Sequence, residues 1–437
     1  MIIKRDKYLN KLISRRFNGK IKIITGIRRS GKSFLLFNLY KNHLIAEGAT
    51  EEQFIEIALD KKSDEKFRNP NILFNYVLNK TTDNNKQYYV FIDEIQLSYQ
   101  VKNTDIDESL VPENDRDLLY TTFYDVLIDL MSRPNLDIYV TGSNSKMLSK
   151  DIATNFRDRG SEIQVHPLSF SEYYPVSGLE KTDAWEEYMT YGGMPLAVLE
   201  NDENEKKKYL SYLYKRVYLK DIIERYNLQD DTLIDSVVDV LCSSVSSLTN
   251  PHNLANAAKT LRGNNVSDHT VKNYLEYLED AYLFCKARRY DVKGKRYFDT
   301  PMKYYSEDVG LRNARLNFRQ QDNGHLMENI IFNELKLRGF SVDVGMIALT
   351  SYEEGKQKQH QYEIDFVVNT GSQKIYIQSA FNIDTADKRN QEIRSLRNTG
   401  DFFRKIVVLG GSQKPWTDEK GILYIGIIPF LLDESMI

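Results

Sequence analysis

The sequence is poor in the residues that build disulfide-bonded or metal-bound domains. Its 437 residues include only two cysteines, Cys242 and Cys285, and six scattered histidines. The two cysteines stand alone and lack the spacing of zinc ligands. We therefore expect neither a disulfide framework nor a structural metal, and a reducing cytoplasm is the expected location.

Signals for secretion or membrane insertion are also missing. The first residues, "MIIKRDKYLNKL", are charged from the start, which is not typical of a signal peptide. The longest apolar run, "GILYIGIIPFLL", is shorter than a bilayer requires, and we predict that it is core. The net charge of −3 creates no global attraction to nucleic acid. We expect a soluble protein of roughly two to four domains, without a membrane partner.

One stretch near the N-terminus has the pattern of a phosphate-binding loop. The apolar run "IKIIT" predicts a buried parallel strand, and "SFLLFNLYKN" has helical spacing. Between them, "GIRRSGKS" matches G-x-x-x-x-G-K-[ST], in which glycines let backbone N–H groups surround a polyphosphate. The pattern predicts that ATP is bound by Gly26, Arg28, Arg29, Ser30, Gly31, Lys32, Ser33 and Phe34.

A second strand supports a nucleotide site. "QYYVFIDEIQ" is apolar and ends in Asp93-Glu94, the pattern of a Walker B strand. Together with the Ser33 hydroxyl, Asp93 is predicted to hold Mg²⁺. Glu94 is predicted to be the catalytic base that polarises the attacking water.

Further motifs resemble one family. The segments "TGIRRSGKS", "FIDEIQ", "TGSNSKMLS", "PLSFSEY" and "YGGMP" are similar to those of bacterial and archaeal AAA-type ATPases. Members of that family carry a winged helix and a C-terminal domain of unknown function with a restriction-endonuclease-like fold. The resemblance implies an α/β multidomain protein with a P-loop AAA-like parallel-sheet core, a helical lid, a winged helix and a C-terminal PD-(D/E)xK-like α/β domain. The expected boundaries are 1–165, 166–230, 231–315 and 316–437.

The resemblance also implies roles for three residues outside the two Walker motifs. Asn144, after the strand "NLDIYVT", would be a polar sensor that positions the lytic water, or part of an ordinary turn. Arg159 would be an arginine finger, typically acting across a subunit boundary, or a surface charge. Pro195, in "YGGMP", would pack near the adenine, or follow a plain helix stop. By weaker analogy, Arg5 would approach the nucleotide base.

The middle of the chain predicts helices followed by a two-stranded wing that turns near Gly294. The wing is rich in basic residues, so DNA contact is one interpretation. Packing between domains, or a solvated basic face, is the alternative, because the preceding helix carries acidic residues. The basic residues are Lys286, Arg288, Arg289, Lys293, Lys295 and Arg296.

The C-terminal segments follow a helix, strand, strand, strand, helix, strand order, which fits a restriction-endonuclease-like core. The resemblance places Glu328 on the helix and Asp365 on the second strand. The third strand, "KIYIQSA", has Gln378 and Ala380 where a carboxylate and a lysine are expected. Glu363 shares a face with Asp365 and could serve as a ligand, but no residue is expected to replace the lysine. We therefore expect a degenerate site, since hard divalent cations require charged oxygen ligands.

The resulting interpretation is an ATP-hydrolysing switch whose nucleotide state controls a winged helix and an inactive nuclease-like domain. Two alternatives are an ATP-gated DNA nuclease and an ATP-binding, DNA-binding regulator with negligible turnover. The implied ligands are ATP and Mg²⁺. DNA, a second copy of the chain and an unidentified protein are the possible macromolecular partners.

Overall fold

The computed structural model describes residues 2–143, 159–229, 231–262, 266–319, 322–353, 356–371, 373–383 and 385–437. The chain divides into an N-terminal unit, residues 2–166 with 280–282, and a C-terminal unit, residues 167–279 with 283–437. None of the helices in these ranges combines the length and the apolar character that crossing a bilayer requires.

The N-terminal unit is built on a five-stranded parallel sheet. Its described strands are β1 (Ile21–Thr25), β2 (Phe54–Ala58), β3 (Tyr88–Asp93), β4 (Val101–Lys102), β5 (Tyr120–Thr121), β6 (Leu136–Thr141) and β7 (Gly160–Gln164). The sheet has the order β2-β3-β6-β1-β7, and β4 pairs with β5 in a separate ribbon. Every residue of β1, β3 and β6 is buried, which is why these strands appear in the sequence as nearly continuous apolar runs.

Helical segments connect these strands. They span Asp6–Ser14, Lys32–Phe34, Leu35–Tyr40 (a π-helical turn), Lys41–Ala46, Glu51–Gln53, Lys62–Arg68, Pro70–Lys80, Ile95–Leu97, Glu108–Leu110, Glu113–Leu119 and Phe123–Met131. One apolar core between the sheet and its helices includes Ile23, Leu73, Val90 and Leu127. This core fixes the carboxyl ends of the parallel strands, where ligands of open α/β sheets bind.

The C-terminal unit contains one nine-stranded mixed sheet. Its strands are β8 (Leu248–Thr249), β9 (Phe284–Asp291), β10 (Arg296–Ser306), β11 (Ser341–Glu353), β12 (Lys356–Asn369), β13 (Lys374–Ala380), β14 (Arg404–Leu409), β15 (Trp416–Thr417) and β16 (Ile422–Gly426). Their order is β15-β16-β14-β13-β12-β11-β9-β10-β8. The run "GILYIGIIPFLL" forms β16 and the helix Ile427–Leu432, both largely buried, as expected of core.

The helices of this unit lie before, between and after the strands. They span Phe170–Ser177, Lys181–Tyr191, Pro195–Val198, Glu203–Tyr212, Leu213–Leu219, Lys220–Arg225, Asp231–Ser243, Pro251–Arg262, Asp268–Asp280, Val309–Arg315, Asn323–Leu337, Ala386–Glu392, Arg394–Arg397, Ile427–Leu432 and Glu434–Met436. The helices and the hairpin expected between residues 231 and 315 are present, and β8 pairs with β10 beside the hairpin.

The hairpin is part of the larger sheet. Strand β9 pairs in parallel with β11, from Val344↔Arg289 to Met346↔Asp291. The sheet therefore runs without interruption across residue 315, where the sequence suggests a boundary.

Candidate functional site

The loop after β1 has a backbone that only glycine can supply at two positions. Gly26 has φ +130° and Gly31 has φ +94°. A Cβ atom at Gly26 would lie 2.1 Å from the carbonyl oxygen of Val165. The loop thus folds tightly back against the chain after β7, and within it Ser30 N donates to the Ile27 carbonyl oxygen at 3.3 Å.

Lys32 is buried at the start of the helix that follows this loop. Its Nζ donates to the carbonyl oxygens of Gly26 at 2.9 Å and Ile27 at 3.0 Å. Burial lowers the pKa of Lys32 to about 8, although the carboxylates of Glu94 and Asp93 oppose this change. The described hydrogen-bond acceptors of the ammonium are neutral, so no ion pair within the described part of the chain cancels its charge.

Ser33 and Asp93 connect the phosphate loop to β3. Ser33 Oγ donates to Asp93 Oδ1 at 2.9 Å, and Thr141 Oγ1 donates to the same oxygen. Burial raises the pKa of Asp93. Two hard oxygen donors thus lie side by side, which is the donor set that Mg²⁺ uses with a nucleotide.

Ser30, inside the loop, provides a second test of the fit to a polyphosphate. Its Oγ is buried and has no hydrogen-bond partner among the described residues. A buried hydroxyl without a partner is costly, and a phosphate oxygen in the loop would satisfy it. The residues present therefore fit the polyphosphate of a nucleotide with Mg²⁺.

Glu94 follows β3 in a left-handed conformation, with φ +53°. Its N–H donates to Thr141 Oγ1 at 3.1 Å. Its carboxylate accepts hydrogen bonds from Gln96 Nε2 and, at 3.4 Å, from Ser143 Oγ. The sequence interpretation missed Thr141 and Gln96, although each is a polar residue at or just beyond the carboxyl end of a buried strand.

The other residues predicted near the nucleotide lie in different surroundings. Arg28, Arg29 and Phe34 are exposed around the loop. Arg5 donates to the carbonyl oxygens of Ser30 at 3.1 Å and His166 at 2.7 Å, so it supports the loop from behind. Asn144, the predicted sensor, lies outside the described residues, but its strand β6 does lie between β1 and β3.

Arg159 lies at the amino ends of the parallel strands, opposite the carboxyl ends that carry the phosphate loop. It directly precedes β7, which pairs in parallel with β1 through Ile21↔Gly160, and its carbonyl oxygen accepts from Ile21 N at 2.9 Å. The phosphate loop begins five residues further along β1, about 16 Å away. The Arg159 side chain is exposed at the amino ends of the strands. This position does not favour contact with a nucleotide bound to the phosphate loop of the same chain. A role across a subunit boundary stays a prediction.

The "YGGMP" motif forms a close contact within the C-terminal unit. Gly193 N donates to Asp308 Oδ2 at 2.7 Å. A Cβ at Gly192 would lie 2.3 Å from Asp308 Oδ1, and one at Gly193 would lie 2.0 Å from the Leu168 carbonyl oxygen. Pro195 begins the helix Pro195–Val198. The glycines are therefore required by backbone packing, and the adenine contact of Pro195 stays a prediction.

The basic hairpin β9–β10 is partly engaged by its own sheet. Arg289 is half-buried and donates to Gln361 Oε1 at 3.2 Å. Tyr297 OH donates to Asp343 Oδ2 at 2.9 Å. By contrast, Arg288, Lys293 and Lys295 are exposed. Only the exposed members could form a surface for phosphates.

The predicted nuclease-like residues meet around a lysine that the sequence interpretation did not consider. Lys303 Nζ, from β10, lies 2.8 Å from Glu328 Oε1, 2.6 Å from Glu363 Oε1 and 3.5 Å from Asp365 Oδ1. An ammonium therefore does lie beside the carboxylates, but it comes from β10 and not from position 380. Lys303 stands in "PMKYYS", within residues 231–315, which the sequence analysis assigns to the winged helix and not to the C-terminal domain.

Burial and charge make this cluster electrostatically unusual. Tyr305, two residues after Lys303 on the same strand face, donates to Glu328 Oε1 at 2.8 Å. Burial, together with the nearby Asp365 carboxylate, raises the pKa of Glu328 to about 8. Burial also raises the pKa of Asp365, whereas the surrounding carboxylates raise the pKa of Lys303 against the effect of burial. We refer to Lys303, Glu328, Glu363 and Asp365 as the lysine–carboxylate cluster.

Gln378 and Ala380 lie beside the cluster and do not enter it. Gln378 Oε1 accepts from Asp365 N at 3.4 Å, and its Nε2 donates to Glu392 Oε2 at 3.3 Å. Ala380 is 3% exposed and packs in an apolar cluster with Tyr376. A lysine at position 380 would therefore have to displace apolar core.

The parallel sheet of order β2-β3-β6-β1-β7, with a phosphate loop after β1 and two successive carboxylates where β3 ends, defines an α/β protein with a P-loop AAA-like core. Comparisons with known proteins agree with this class. An AAA domain model matches residues 18–174, a domain of unknown function (DUF8612) matches 182–322, and another (DUF4143) matches 323–429.

Two relatives match over almost the full length. An uncharacterized protein of Haemophilus influenzae is 31% identical over 438 residues, covering 99% of each chain. The uncharacterized protein MJ1544 of Methanocaldococcus jannaschii is 28% identical over 455 residues, covering 98% of this chain and 91% of its own. The chain belongs to the family of AAA-domain proteins that carry DUF4143 at the C-terminus.

Solved structures are more distant. The Aeropyrum pernix ORC1 protein in complex with DNA has 11% identity and a TM-score of 0.29, covering 72% of this chain and 93% of that chain.

Proposed function

We propose that this protein binds ATP with Mg²⁺ and hydrolyses it, and that its nucleotide state controls the C-terminal unit. The observation that carries the proposal is the hydrogen bond of 2.9 Å between Ser33 and Asp93. It joins the phosphate loop to the strand that carries Glu94. The residues proposed to contact phosphate, to ligate the metal and to activate water thus lie together at the carboxyl ends of the strands of one sheet.

The residues of the site divide the work between them. Lys32 would exchange its two carbonyl acceptors for phosphate oxygens, which restores full charge to a lysine whose pKa is lowered. Ser33 and Asp93 would hold Mg²⁺, which supplies positive charge to the phosphates. Glu94 would accept a proton from the attacking water, while Gln96 and Ser143 orient its carboxylate.

Substitution of two residues tests this division. Lys32→Ala should abolish tight ATP binding, whereas Glu94→Gln should retain binding and lose turnover by about 10²-fold or more. Glu52→Gln, an exposed carboxamide substitution in the same unit, is the matched control and should leave both unchanged. Binding is measured by calorimetry and turnover by phosphate release. Unchanged turnover in Glu94→Gln would remove the assignment of the base.

Arg159 is proposed to act on a neighbouring copy of the chain. Its exposed position away from the loop of its own chain supports a contact in trans. Turnover per protomer should then rise with protein concentration. A mixture of Arg159→Ala and Glu94→Gln proteins should recover part of the activity, because some interfaces pair an intact base with an intact arginine. A concentration-independent rate would contradict the proposal.

We further propose that residues 231–315 are a winged helix that can contact DNA. The order of three helices, the strand β8 and the hairpin supports this, as do the exposed Lys293 and Lys295. Reversing both lysines to Glu should weaken DNA binding and make its salt dependence shallower. The control variant replaces Lys414 and Lys420, which are also exposed, by Glu. Equal effects of the two variants would exclude a specific role for the hairpin.

Residues 316–437 are proposed to be an inactive nuclease-like domain. The order of the helix Asn323–Leu337, the strands β11, β12 and β13, the helix Ala386–Glu392 and β14 supports this. Inactivity is supported by Gln378 and Ala380, which lie beside the carboxylates and supply neither a charge nor an ammonium. The wild-type protein should not cleave DNA with Mg²⁺ or Mn²⁺, whether or not ATP is present.

A further inference from the structure

Lys303 lies where carboxylates on two different elements converge. Glu328 comes from the helix Asn323–Leu337, whereas Glu363 and Asp365 come from β12. All three carboxylates have an oxygen within ion-pair distance of the same ammonium. A single cation in contact with three carboxylates is the arrangement that a divalent metal would otherwise adopt.

The distances, however, suit an ammonium and not a metal ion. Divalent cations hold oxygen ligands at about 2.0–2.6 Å, whereas the Lys303 contacts extend from 2.6 to 3.5 Å. The side chain of Lys303 is only 4% exposed. Strand β10 lies between β9 and β8 in the sheet, so the lysine is held by a paired strand and not by a loop.

A cleft adjoins the cluster on one side. It has a volume of about 620 Å³ and is lined by polar residues, including Glu363, Gln378, Glu392 and Arg394. Glu363 belongs both to the cleft and to the cluster, and its side chain is 34% exposed. A metal ion that enters the cleft from solvent would therefore contact Glu363 first. The position between the three carboxylates is already occupied by the Lys303 ammonium.

We propose that Lys303 is a built-in cation that takes the place of a divalent metal and keeps the site closed to metal ions. This proposal rests on the proposal that residues 316–437 are a nuclease-like domain. It attributes the inactivity to the presence of Lys303 as well as to the missing carboxylate and lysine at positions 378 and 380. Three carboxylates around a permanent ammonium are satisfied without a metal. Removing the ammonium should leave them in need of another cation.

The test is Mn²⁺ binding, measured by calorimetry on the full chain. Mn²⁺ should bind Lys303→Met at least about tenfold more tightly than it binds the wild type, whose affinity at this site should be too weak for calorimetry to detect. Mn²⁺ should also raise the melting temperature of Lys303→Met by several degrees and leave that of the wild type unchanged, because a ligand of the native state stabilises it. Adding Glu363→Gln to Lys303→Met should remove the gain.

The matched control is Lys374→Met. Lys374 lies on β13, the strand paired with β12, and donates to the Tyr290 hydroxyl at 2.7 Å. Among the described residues it makes no ion pair with a carboxylate, so its loss should create no metal site. Should Lys303→Met fail to fold without metal, Lys303→Met with Glu328→Gln removes one buried acidic group and still leaves two carboxylates. Mn²⁺ should then stabilise the double variant.

Three results would overturn the proposal. One is Mn²⁺ binding by the wild type that Glu363→Gln removes. Another is a folded Lys303→Met protein, or its Glu328→Gln derivative, that gains no Mn²⁺ binding. The third is DNA cleavage by the wild type that Lys303→Met abolishes, since the lysine would then be catalytic. ATP turnover is not part of these measurements, so failure here is distinguishable from failure of the proposed ATPase.

Discussion

Lys32 and Lys303 are both buried lysines, yet their surroundings have opposite consequences. Lys32 is bonded to two neutral carbonyl oxygens, and burial lowers its pKa to about 8. Lys303 is surrounded by three carboxylates, which raise its pKa in spite of burial. The Lys32 ammonium can still gain an anionic partner, whereas the Lys303 ammonium already has three. A buried lysine therefore indicates a ligand site only when its own protein has left its charge without a counterion.

The largest expected difference between the two lysines is in stability. Lys303→Met should reduce the free energy of unfolding by about 3–5 kcal/mol, because it leaves buried carboxylates uncompensated. Lys32→Met should change it by less than about 1 kcal/mol, or increase it, because it removes a buried charge that makes no ion pair with the residues the structure describes. Urea denaturation without metal or nucleotide measures both. Equal losses of unfolding free energy in the two variants would contradict the difference inferred between the two lysines.

A smaller effect is expected in the pH dependence of stability. The native pKa of Glu328, about 8, lies above its ordinary value of 4.5, so the folded protein holds a proton that the unfolded chain releases in this window. Stability should therefore fall as pH rises from about 4.5 to about 8, by about 1–2 kcal/mol between pH 5 and pH 8 after allowing for coupling within the cluster.

Glu328→Gln should remove that part of the pH dependence, because the amide does not titrate. Glu52→Gln, at an exposed site, serves as the control and should leave the slope intact. Denaturation midpoints at several pH values provide the measurement. Parallel curves for wild type and Glu328→Gln would show that the carboxylate does not hold the proton.

The smallest effect concerns ATP affinity and the free charge of Lys32. Above a pKa of about 8, unbound Lys32 loses its proton and must regain it to contact a phosphate. ATP affinity should therefore weaken by about three- to tenfold between pH 7 and pH 9. In Lys32→Arg, whatever affinity remains should vary less, because the guanidinium stays charged. A pH-independent affinity in the wild type would mean that the lysine is not the titrating contact.

Much of the N-terminal unit could be predicted because its signals are local. Strand β1, the glycine loop and the following helix are adjacent in sequence, and Asp93 is the last residue of its own apolar strand. Local backbone requirements, such as the positive φ of Gly26 and Gly31, appear directly as residue types.

The lysine–carboxylate cluster could not be predicted in the same way. Lys303 and Glu363 are 60 positions apart, and their contact depends on the pairing of β9 with β11, which is a tertiary event. The two glycines of "YGGMP" present a related difficulty. Their requirement comes from Asp308 and Leu168, which are distant in sequence, so the motif alone did not reveal why glycine is needed.

The continuity of the nine-stranded sheet has a consequence for how such chains can evolve. The match to DUF8612 ends at residue 322 and that to DUF4143 begins at 323, yet β9 pairs with β11 across this point. Lys303 and its three carboxylates are likewise divided between the two segments. Recombination at residue 322 would expose two unpaired strand edges and separate an ammonium from its counterions. The two segments are therefore expected to be inherited as one piece, and to change their facing residues together.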